Sequence, residues 1–200
     1  MHRGDRLSHP INGVTIEQAQ GFCRWMGKRL CAETEWERAA RGEEDRRYPW
    51  RGTRGATCDE AVMNPGWTQE TTGDCSQAGC GLGEPAPACS RIAGRTPGPE
   101  PIYDLAGNVY EWVEGYANPA TCVEGCTDPR FHEIGARPVV RGGSFCSPPG
   151  SLEAIYRGAV DLPQNTLCQR GIRCCWDPSM PAPADRRVDV GCPGRGGPSK

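Results

Sequence analysis

Apolar residues recur at helical spacing near the start of the chain, within residues 15–27. Thr15 and Gln18, three positions apart, form a capping-box pattern at its beginning, and Gly27 is a natural end. The apolar positions share one face at 3.6 residues per turn. They are Ile16, Ala19, Phe22, Cys23 and Met26. The pattern predicts an amphipathic helix over 15–27.

A second, shorter helix is predicted over residues 33–42, with Trp36 and Ala40 facing inward and Gly42 at its end. Farther along, three apolar stretches are typical of short strands. They are "NVYEWV" (108–113), "PVVRGGSF" (138–145) and "GIRCCW" (171–176).

Long parts of the chain follow neither period. Residues 43–101 are rich in turn residues and contain four cysteines. We therefore expect a long loop that disulfides or a metal must stabilise. From 178 to 200 the chain is rich in Pro and Gly, which predicts a disordered tail after a domain at 1–177.

The composition agrees with a loop-rich domain. Of the 200 residues 36% are hydrophobic, with 27 Gly and 19 Pro, which argues against a helix bundle. A net charge of −2 gives no general attraction to nucleic acid or to an anionic membrane. No run of 18 apolar residues occurs, so the sequence predicts no transmembrane segment.

Cysteine is the strongest compositional signal, with 13 residues. This density is typical of disulfide-bonded proteins in oxidising compartments. A zinc protein is the alternative, but no pair has the C-x-x-C spacing of common zinc sites. The odd count leaves at least one thiol unpaired or paired between chains, and connectivity does not follow from sequence.

The N-terminus "MHRGDRLSHPING" lacks the apolar region of a signal peptide. Two interpretations follow. Either the chain is intracellular with reduced thiols, or its N-terminal part is missing and the full-length form is exported.

Several segments occur in an order that resembles the sulfatase-modifying factor family, whose founding member is the formylglycine-generating enzyme. They are "NGVTIEQAQGFCRWMGKRLCAETEWERAARG", "YPW", "YDLAGNVYEWV", "VVRGGSF" and "GIRC", and the resemblance spans about residues 10–176. It implies an α+β fold, a variant of the C-type lectin fold with little regular secondary structure. It also implies that the domain is partial, with its N-terminal portion missing. The expected full-length form is a bacterial protein located outside the cytoplasm (periplasmic, secreted or at the surface).

In the family, the segment similar to "YDLAGNVYEWV" holds a calcium ion. The resemblance implies that Asp104 and Glu111 supply side-chain oxygens and that Gly107 and Val109 supply backbone carbonyls. The chemistry suits calcium, a hard cation that takes several oxygen ligands. A hydrogen-bonded turn without metal is the alternative.

Formylglycine-generating enzymes oxidise a cysteine of a sulfatase with oxygen and copper(I), which two cysteines hold. Soft thiolates are the ligands that copper(I) prefers. Here Cys146 lies near the first position, after Ser144, where the family has an active-site serine. The second position holds Ser151, or Glu153 in another alignment, so the paired thiolate is absent unless a distant residue such as Cys168 replaces it.

Two functions of different class follow from the resemblance. The first is a catalytically degenerate, calcium-stabilised binding domain for an unknown protein or peptide, which overlaps with a purely structural cysteine-rich surface domain. The second is a copper- and oxygen-dependent oxidase that makes formylglycine. A Cys146–Cys168 disulfide would favour the binding domain. The resemblance also implies a disulfide between Cys23 and Cys174, with the remaining cysteines as loop staples.

Overall fold

The computed structural model describes residues 6–68, 75–117, 137–159 and 167–176, together with Ser179 and Cys192. Helix α1 spans Ile16–Trp25 and helix α2 spans Glu33–Arg41. Six strands accompany them: β1 (Arg29–Leu30), β2 (Tyr110–Ala117), β3 (Arg137–Arg141), β4 (Arg157–Ala159), β5 (Arg170–Ile172) and β6 (Cys174–Cys175). Short 3-10 helices occupy Ile92–Gly94 and Pro149–Leu152.

Helix α1 begins where its sequence predicts. The Thr15 hydroxyl accepts a hydrogen bond from the Gln18 N–H at 3.2 Å, and the Gln18 side-chain oxygen accepts one from the Thr15 N–H at 2.9 Å. Both bonds satisfy donors that a helix start leaves unpaired. The predicted helix over 15–27 is therefore confirmed, with ends at Ile16 and Trp25.

Helix α2 is confirmed with its inward face. Trp36 and Ala40 are buried and pack against Leu105, Val113 and Val139. This contact seats α2 on the sheet strands that carry the candidate site.

The main sheet has four strands in the order β4-β3-β2-β5. Strand β2 pairs antiparallel with β3 and parallel with β5, and a register irregularity lies between Trp112 and Tyr116. Strands β1 and β6 form a separate two-stranded antiparallel sheet. Because β5 pairs in parallel with the first residues of β2, the residues that precede β5 lie near the start of β2.

The predicted strands differ from the observed ones where the backbone turns. The strand predicted over 108–113 starts later, at Tyr110, because Gly107 and Asn108 adopt positive φ. The strand predicted over 138–145 ends at Arg141, because two glycines follow at φ +89° and +73°. The strand predicted over 171–176 is two strands, and Arg173 lies between them.

The fold is α+β with little regular secondary structure, as the sequence predicts. Within the described residues, no helix is both long and apolar enough to cross a membrane. The predicted tail over 178–200 lies outside the described residues except for Ser179 and Cys192, and Cys192 is bonded to Cys89. Cys122 and Cys126 also lie outside them.

Candidate functional site

The loop before β2 is fixed by its own turn residues. Asp104, Gly107 and Asn108 have φ of +57°, +75° and +64°. A Cβ at Gly107 would lie 2.5 Å from the carbonyl oxygen of Val62, so the close approach requires glycine. The buried Asn108 side chain binds the backbone N–H and carbonyl of Ala86, at 3.0 and 3.1 Å. These contacts hold the loop against two other segments.

The two candidate carboxylates, Asp104 in this loop and Glu111 on β2, are held differently. Asp104 Oδ2 accepts a hydrogen bond from the Cys89 N–H at 2.6 Å. Glu111, which is buried, accepts from Trp36 Nε1 at 2.6 Å and from Arg173 Nε at 2.7 Å. A second Arg173 nitrogen lies 2.6 Å from the other Glu111 oxygen, so the guanidinium binds both oxygens of that carboxylate.

Arg173 is therefore the positive charge beside both acids. It also donates a hydrogen bond to the Tyr103 carbonyl at 2.8 Å. Burial lowers the pKa of Arg173, but the charge of Glu111 and the hydrogen bond to it raise that pKa above its ordinary value overall. Burial raises the pKa of Asp104, against the opposing effects of the Cys89 N–H and of Arg173.

Calcium fits this loop in ligand type, since two carboxylates and turn carbonyls are hard oxygen donors. In the described parts of the chain, no group of three or more His, Cys, Asp or Glu side chains could hold a metal. A calcium ion would thus depend on the carbonyls of Gly107 and Val109 and would share Glu111 with Arg173. The guanidinium lowers the electrostatic gain that a divalent ion brings.

A second cluster surrounds Ser144, which is fully buried after the glycine turn. The Ser144 hydroxyl lies 3.0 Å from the Ser147 hydroxyl and donates to Gln169 Oε1 at 3.0 Å. The Ser147 hydroxyl donates to the Tyr110 hydroxyl at 3.1 Å. Burial raises the pKa of Tyr110. The four side chains form one polar chain between the glycine turn, β2 and the residue before β5.

Cys146 lies beside this cluster and is bonded to Cys75, with their Cα atoms 5.2 Å apart. A Cys146–Cys168 disulfide, which would have favoured the binding domain, does not form, because the loop over 75–89 packs onto the glycine turn and brings Cys75 to Cys146. Cys168 is an exposed free thiol, so it does not stand in as the second thiol beside Cys146. Ser151 is buried in the 3-10 helix at Pro149–Leu152.

The disulfides of the described residues join distant segments as well as loops. Cys23 is bonded to Cys174, the pair that the family resemblance implies. The others are Cys31–Cys175, Cys58–Cys80, Cys75–Cys146 and Cys89–Cys192. Cys31 was expected to be a loop staple, but it joins the start of α2 to β6.

Three site residues were missed in the sequence: Cys75, Gln169 and Arg173. Cysteine spacing carries no information on pairing, so nothing in the sequence linked Cys75 to Cys146. Gln169 precedes the strand at "GIRC" and has no motif of its own. Arg173 lies inside the motif "GIRC". An arginine between two strand positions predicted to be buried was a signal that it pairs with an acidic residue, since buried charges are paired.

The chain is similar in sequence to known proteins. The family profile for the sulfatase-modifying factor enzyme 1-like domain matches residues 2–178. A formylglycine-generating enzyme of Thermomonospora curvata is 33% identical over 192 residues, which cover 87% of this chain and 57% of the relative. A hercynine oxygenase of Mycobacterium tuberculosis is 29% identical over 178 residues, 84% of this chain and 37% of that protein.

The chain also matches part of a longer protein in sequence and a solved structure in fold. A protein named serine/threonine-protein kinase pkn1, from Chlamydia caviae, is 33% identical over 174 residues, 82% of this chain and 24% of that protein. The solved structure of PvdO from Pseudomonas aeruginosa matches with a TM-score of 0.57 and 20% identity, over 82% of this chain and 60% of that one. The chain spans about half the length of the formylglycine-generating enzymes it matches, from 45% to 57% of each.

Proposed function

The chain belongs to the sulfatase-modifying factor enzyme family, and from this premise we propose that it is a non-catalytic, disulfide-rich binding domain for a protein or peptide. The observation that carries the proposal is the Cys75–Cys146 disulfide. Thiolates, not disulfide sulfurs, bind copper(I). With its sulfur bonded to Cys75, Cys146 has no thiolate to offer.

The second copper position strengthens this argument. Ser151 offers a hard hydroxyl oxygen, and it is buried in the short helix that begins at Pro149. A soft monovalent ion gains little from such an oxygen. In the oxidised protein, the retained Ser144 cluster therefore serves to hold the glycine turn rather than to position a reacting cysteine.

Calcium is part of the proposal. The ion would bind Asp104 and Glu111 through their carboxylates and Gly107 and Val109 through their carbonyls. What supports it is the choice of oxygen ligands and the tight turn with three positive φ angles. Its role would be to stabilise the loop, with no part in chemistry.

We also place the domain in an oxidising compartment outside the cytoplasm. The support is the number of disulfides, five among the described residues, since such bonds are rare where thiols are kept reduced. The partner of the domain would be a protein or a peptide.

The test of function is a peptide assay on protein purified without reductant. A cysteine peptide with a sulfatase motif is incubated with the copper-treated protein and oxygen, and its mass is followed. We expect an unchanged peptide. Conversion of the thiol to the aldehyde that is lost in Cys146→Ser and kept in the control Cys168→Ser would overturn the proposal.

Formylglycine formation remains the second candidate function, because one observation favours it. Cys75 brings a second sulfur to Cys146 in space, although not at the position where the family has it in sequence. In that case Cys146 and Cys75 would hold copper(I), and the metal would supply the oxygen chemistry. The protein's own contribution would be the buried polar cluster around Ser144, which fixes the turn.

A further inference from the structure

Residues 51–55, with the sequence "RGTRG", form a run of five consecutive exposed residues. Buried residues hold this loop at both ends. The rings of Tyr48 and Trp50, which precede the loop, stack with their centroids 4.8 Å apart, and Ala56 follows it. All three are buried in one apolar cluster that also contains Leu152. The chain therefore projects the 51–55 loop from a packed base.

The backbone of this loop is not tied to the rest of the fold. Among the described residues, no backbone–backbone hydrogen bond involves residues 51–56. Gly52 has φ of +97°, and a Cβ added at Gly52 or Gly55 would meet nothing within 4 Å. Glycine in open space changes conformation at little cost, and exposed loop tips are preferred sites of proteolytic cleavage. The loop can therefore adopt the extended form that a protease binds.

Two bonds of the loop join an arginine to a glycine, Arg51–Gly52 and Arg54–Gly55. Trypsin-like proteases bind an arginine side chain in a pocket that contains a carboxylate. The Arg54 guanidinium already has such a partner, because it lies 2.5 Å from the buried Glu60 carboxylate. Arg51 is exposed, and its side chain makes no hydrogen bond or ion pair with any described residue. Arg51 can thus enter a protease pocket without breaking a contact.

We propose that the Arg51–Gly52 bond is a processing site for an arginine-specific protease, which converts the chain to a two-chain form. Hydrolysis adds one water molecule across the peptide bond. The C–N bond breaks, Arg51 gains a carboxylate and Gly52 gains an amino group. Such a cut depends on neither the calcium ion nor the partner of the domain, so it lies beyond the binding function proposed for the chain.

Disulfides keep the two chains together after this cut. Cys23 and Cys31 lie before Arg51, whereas their partners Cys174 and Cys175 lie after it. Two covalent bonds therefore join the fragments on either side of the cut. Helix α2, which belongs to the first fragment, also stays packed on the sheet of the second. Cleavage opens the loop but releases neither fragment.

An inhibitory loop that occupies a protease without being cut is the alternative, since such loops also present an exposed arginine. Inhibitors gain their affinity from a loop that is held rigidly in the bound conformation. Here the Cys58–Cys80 disulfide lies beyond Ala56, and the described chain supplies the loop with no backbone hydrogen bond. The geometry therefore favours a substrate over an inhibitor.

The first experiment is limited trypsin digestion of the full, oxidised chain, followed by mass spectrometry and N-terminal sequencing. The Gly52 N-terminus should appear before any cut after Arg24, Arg38 or Arg95. These arginines are also exposed, but the first two lie in helices, and the Arg95 N–H donates to the Ile92 carbonyl. Cleavage after any of them at the same time or earlier would overturn the proposal. An uncut Arg51–Gly52 bond would also overturn it, and inhibition of trypsin by the uncut chain would identify an inhibitory loop instead.

The rate of this cut shows whether the folded protein is the substrate. A synthetic peptide of residues 47–56 gives the rate for the unfolded segment. The folded chain should be cut within about tenfold of that rate, because only the loop has to adjust. Cleavage through global unfolding would be at least about a thousandfold slower than in the peptide, and that result would refute a site on the folded protein.

Variants assign the cut to Arg51. Arg51→Gln should lose the Gly52 N-terminus and keep the wild-type Tm, because the side chain is exposed. Arg24→Gln replaces an exposed arginine of α1 and is the matched control, so it should leave cleavage at Gly52 unchanged. A slower cut at Gly52 in Arg24→Gln would show that trypsin reaches the loop only after another cut, and would contradict the proposal.

The second experiment tests the two-chain form. Cleaved wild type should remain one species in urea without reductant and should separate into two fragments when reductant is added. Cys23→Ala/Cys174→Ala and Cys31→Ala/Cys175→Ala should each remain one species without reductant, because one bond still joins the fragments. Release of a fragment from cleaved wild type without reductant would overturn the two-chain form. Neither digestion result bears on the peptide assay for formylglycine, so the two proposals fail separately.

Discussion

At the scale of single residues, the loop before β2 depends on one glycine. Gly107 has φ of +75°, and an added Cβ would meet the Val62 carbonyl oxygen at 2.5 Å. Gly107→Ala should therefore lower the free energy of unfolding by about 1–3 kcal/mol, through strain and displacement of the Val62 segment. Urea unfolding followed by tryptophan fluorescence measures the change.

Gly21→Ala is the matched control for this substitution. Gly21 lies inside α1, and its added Cβ would meet nothing within 4 Å. Alanine is the better helix former, so this variant should gain roughly 0.5–1 kcal/mol. If Gly107→Ala were as stable as Gly21→Ala, the close contact with Val62 would not constrain the loop.

Calcium at Asp104 and Glu111 is tested at the same scale. An ion that binds only the folded state stabilises it, by about 2.7 kcal/mol at a hundred times its Kd. We expect excess calcium to raise Tm relative to chelator in wild type, and Asp104→Ala to abolish that response. The exposed Asp59 provides the control, since Asp59→Ala should keep it.

Equal melting curves in calcium and in chelator would mean that no ion contributes. Arg173 would then be the cation that this loop uses, because it already binds both oxygens of Glu111. Arg173→Gln would separate the two cases, since removal of the guanidinium should strengthen calcium binding if the two cations compete for Glu111.

At the scale of elements, buried ion pairs join α2 to the sheet. Arg141 on β3 is fully buried and binds Glu33 at 3.0 Å and Glu37 at 2.8 Å, both on α2. Arg157 on β4 also binds Glu33, at 2.5 Å. Burial lowers the pKa of the Arg141 guanidinium, and the two carboxylates oppose that effect. Helix α2 thus supplies the negative charges that allow Arg141 to be buried in the sheet.

Glu33→Ala should destabilise the protein by about 3 kcal/mol. It leaves Arg141 buried with one carboxylate and removes the contacts of Glu33 with Arg157, and broken buried pairs cost about 3–5 kcal/mol. Glu43→Ala is the control. Its pair with Arg38 is exposed at 62% and 87%, so its loss should be within about 1 kcal/mol. Similar midpoints for both variants in urea would contradict this role for Arg141.

At the scale of the whole molecule, the parts that sequence predicts are the local ones. Both helices follow from the spacing of their apolar residues, and the start of α1 also follows from Thr15 and Gln18, because helical hydrogen bonds join positions only a few residues apart. Strand ends were missed where turns with positive φ intervene, as at Asn108. The partner of Cys146 was missed because the pairing joins positions 71 residues apart, and only the packed chain brings such positions together.

Two of the long-range disulfides close almost the same loop of the chain. Cys23–Cys174 and Cys31–Cys175 span 151 and 144 residues, and their ends lie close together along the chain. Chain entropy gives the first such closure about 5 kcal/mol. Once it exists, the second bond closes only a short loop of about nine residues, worth about 2.5 kcal/mol on the same entropic scale.

The two bonds should therefore be strongly non-additive. Cys23→Ala/Cys174→Ala or Cys31→Ala/Cys175→Ala alone should each cost about 2.5 kcal/mol of entropic stabilisation, because the other bond still holds the long loop. All four substitutions together should cost about 7–8 kcal/mol, well above the sum of the two pairs. Urea midpoints of the three variants, with peptide mapping of the remaining disulfide, give the coupling energy. The control Cys58→Ala/Cys80→Ala opens a loop of 22 residues that lies inside the long one and changes its length little, so its cost should add nearly independently to either pair. If the costs of removing the two long-range pairs were additive, each disulfide would restrict the unfolded chain independently of the other, and the predicted coupling would be wrong.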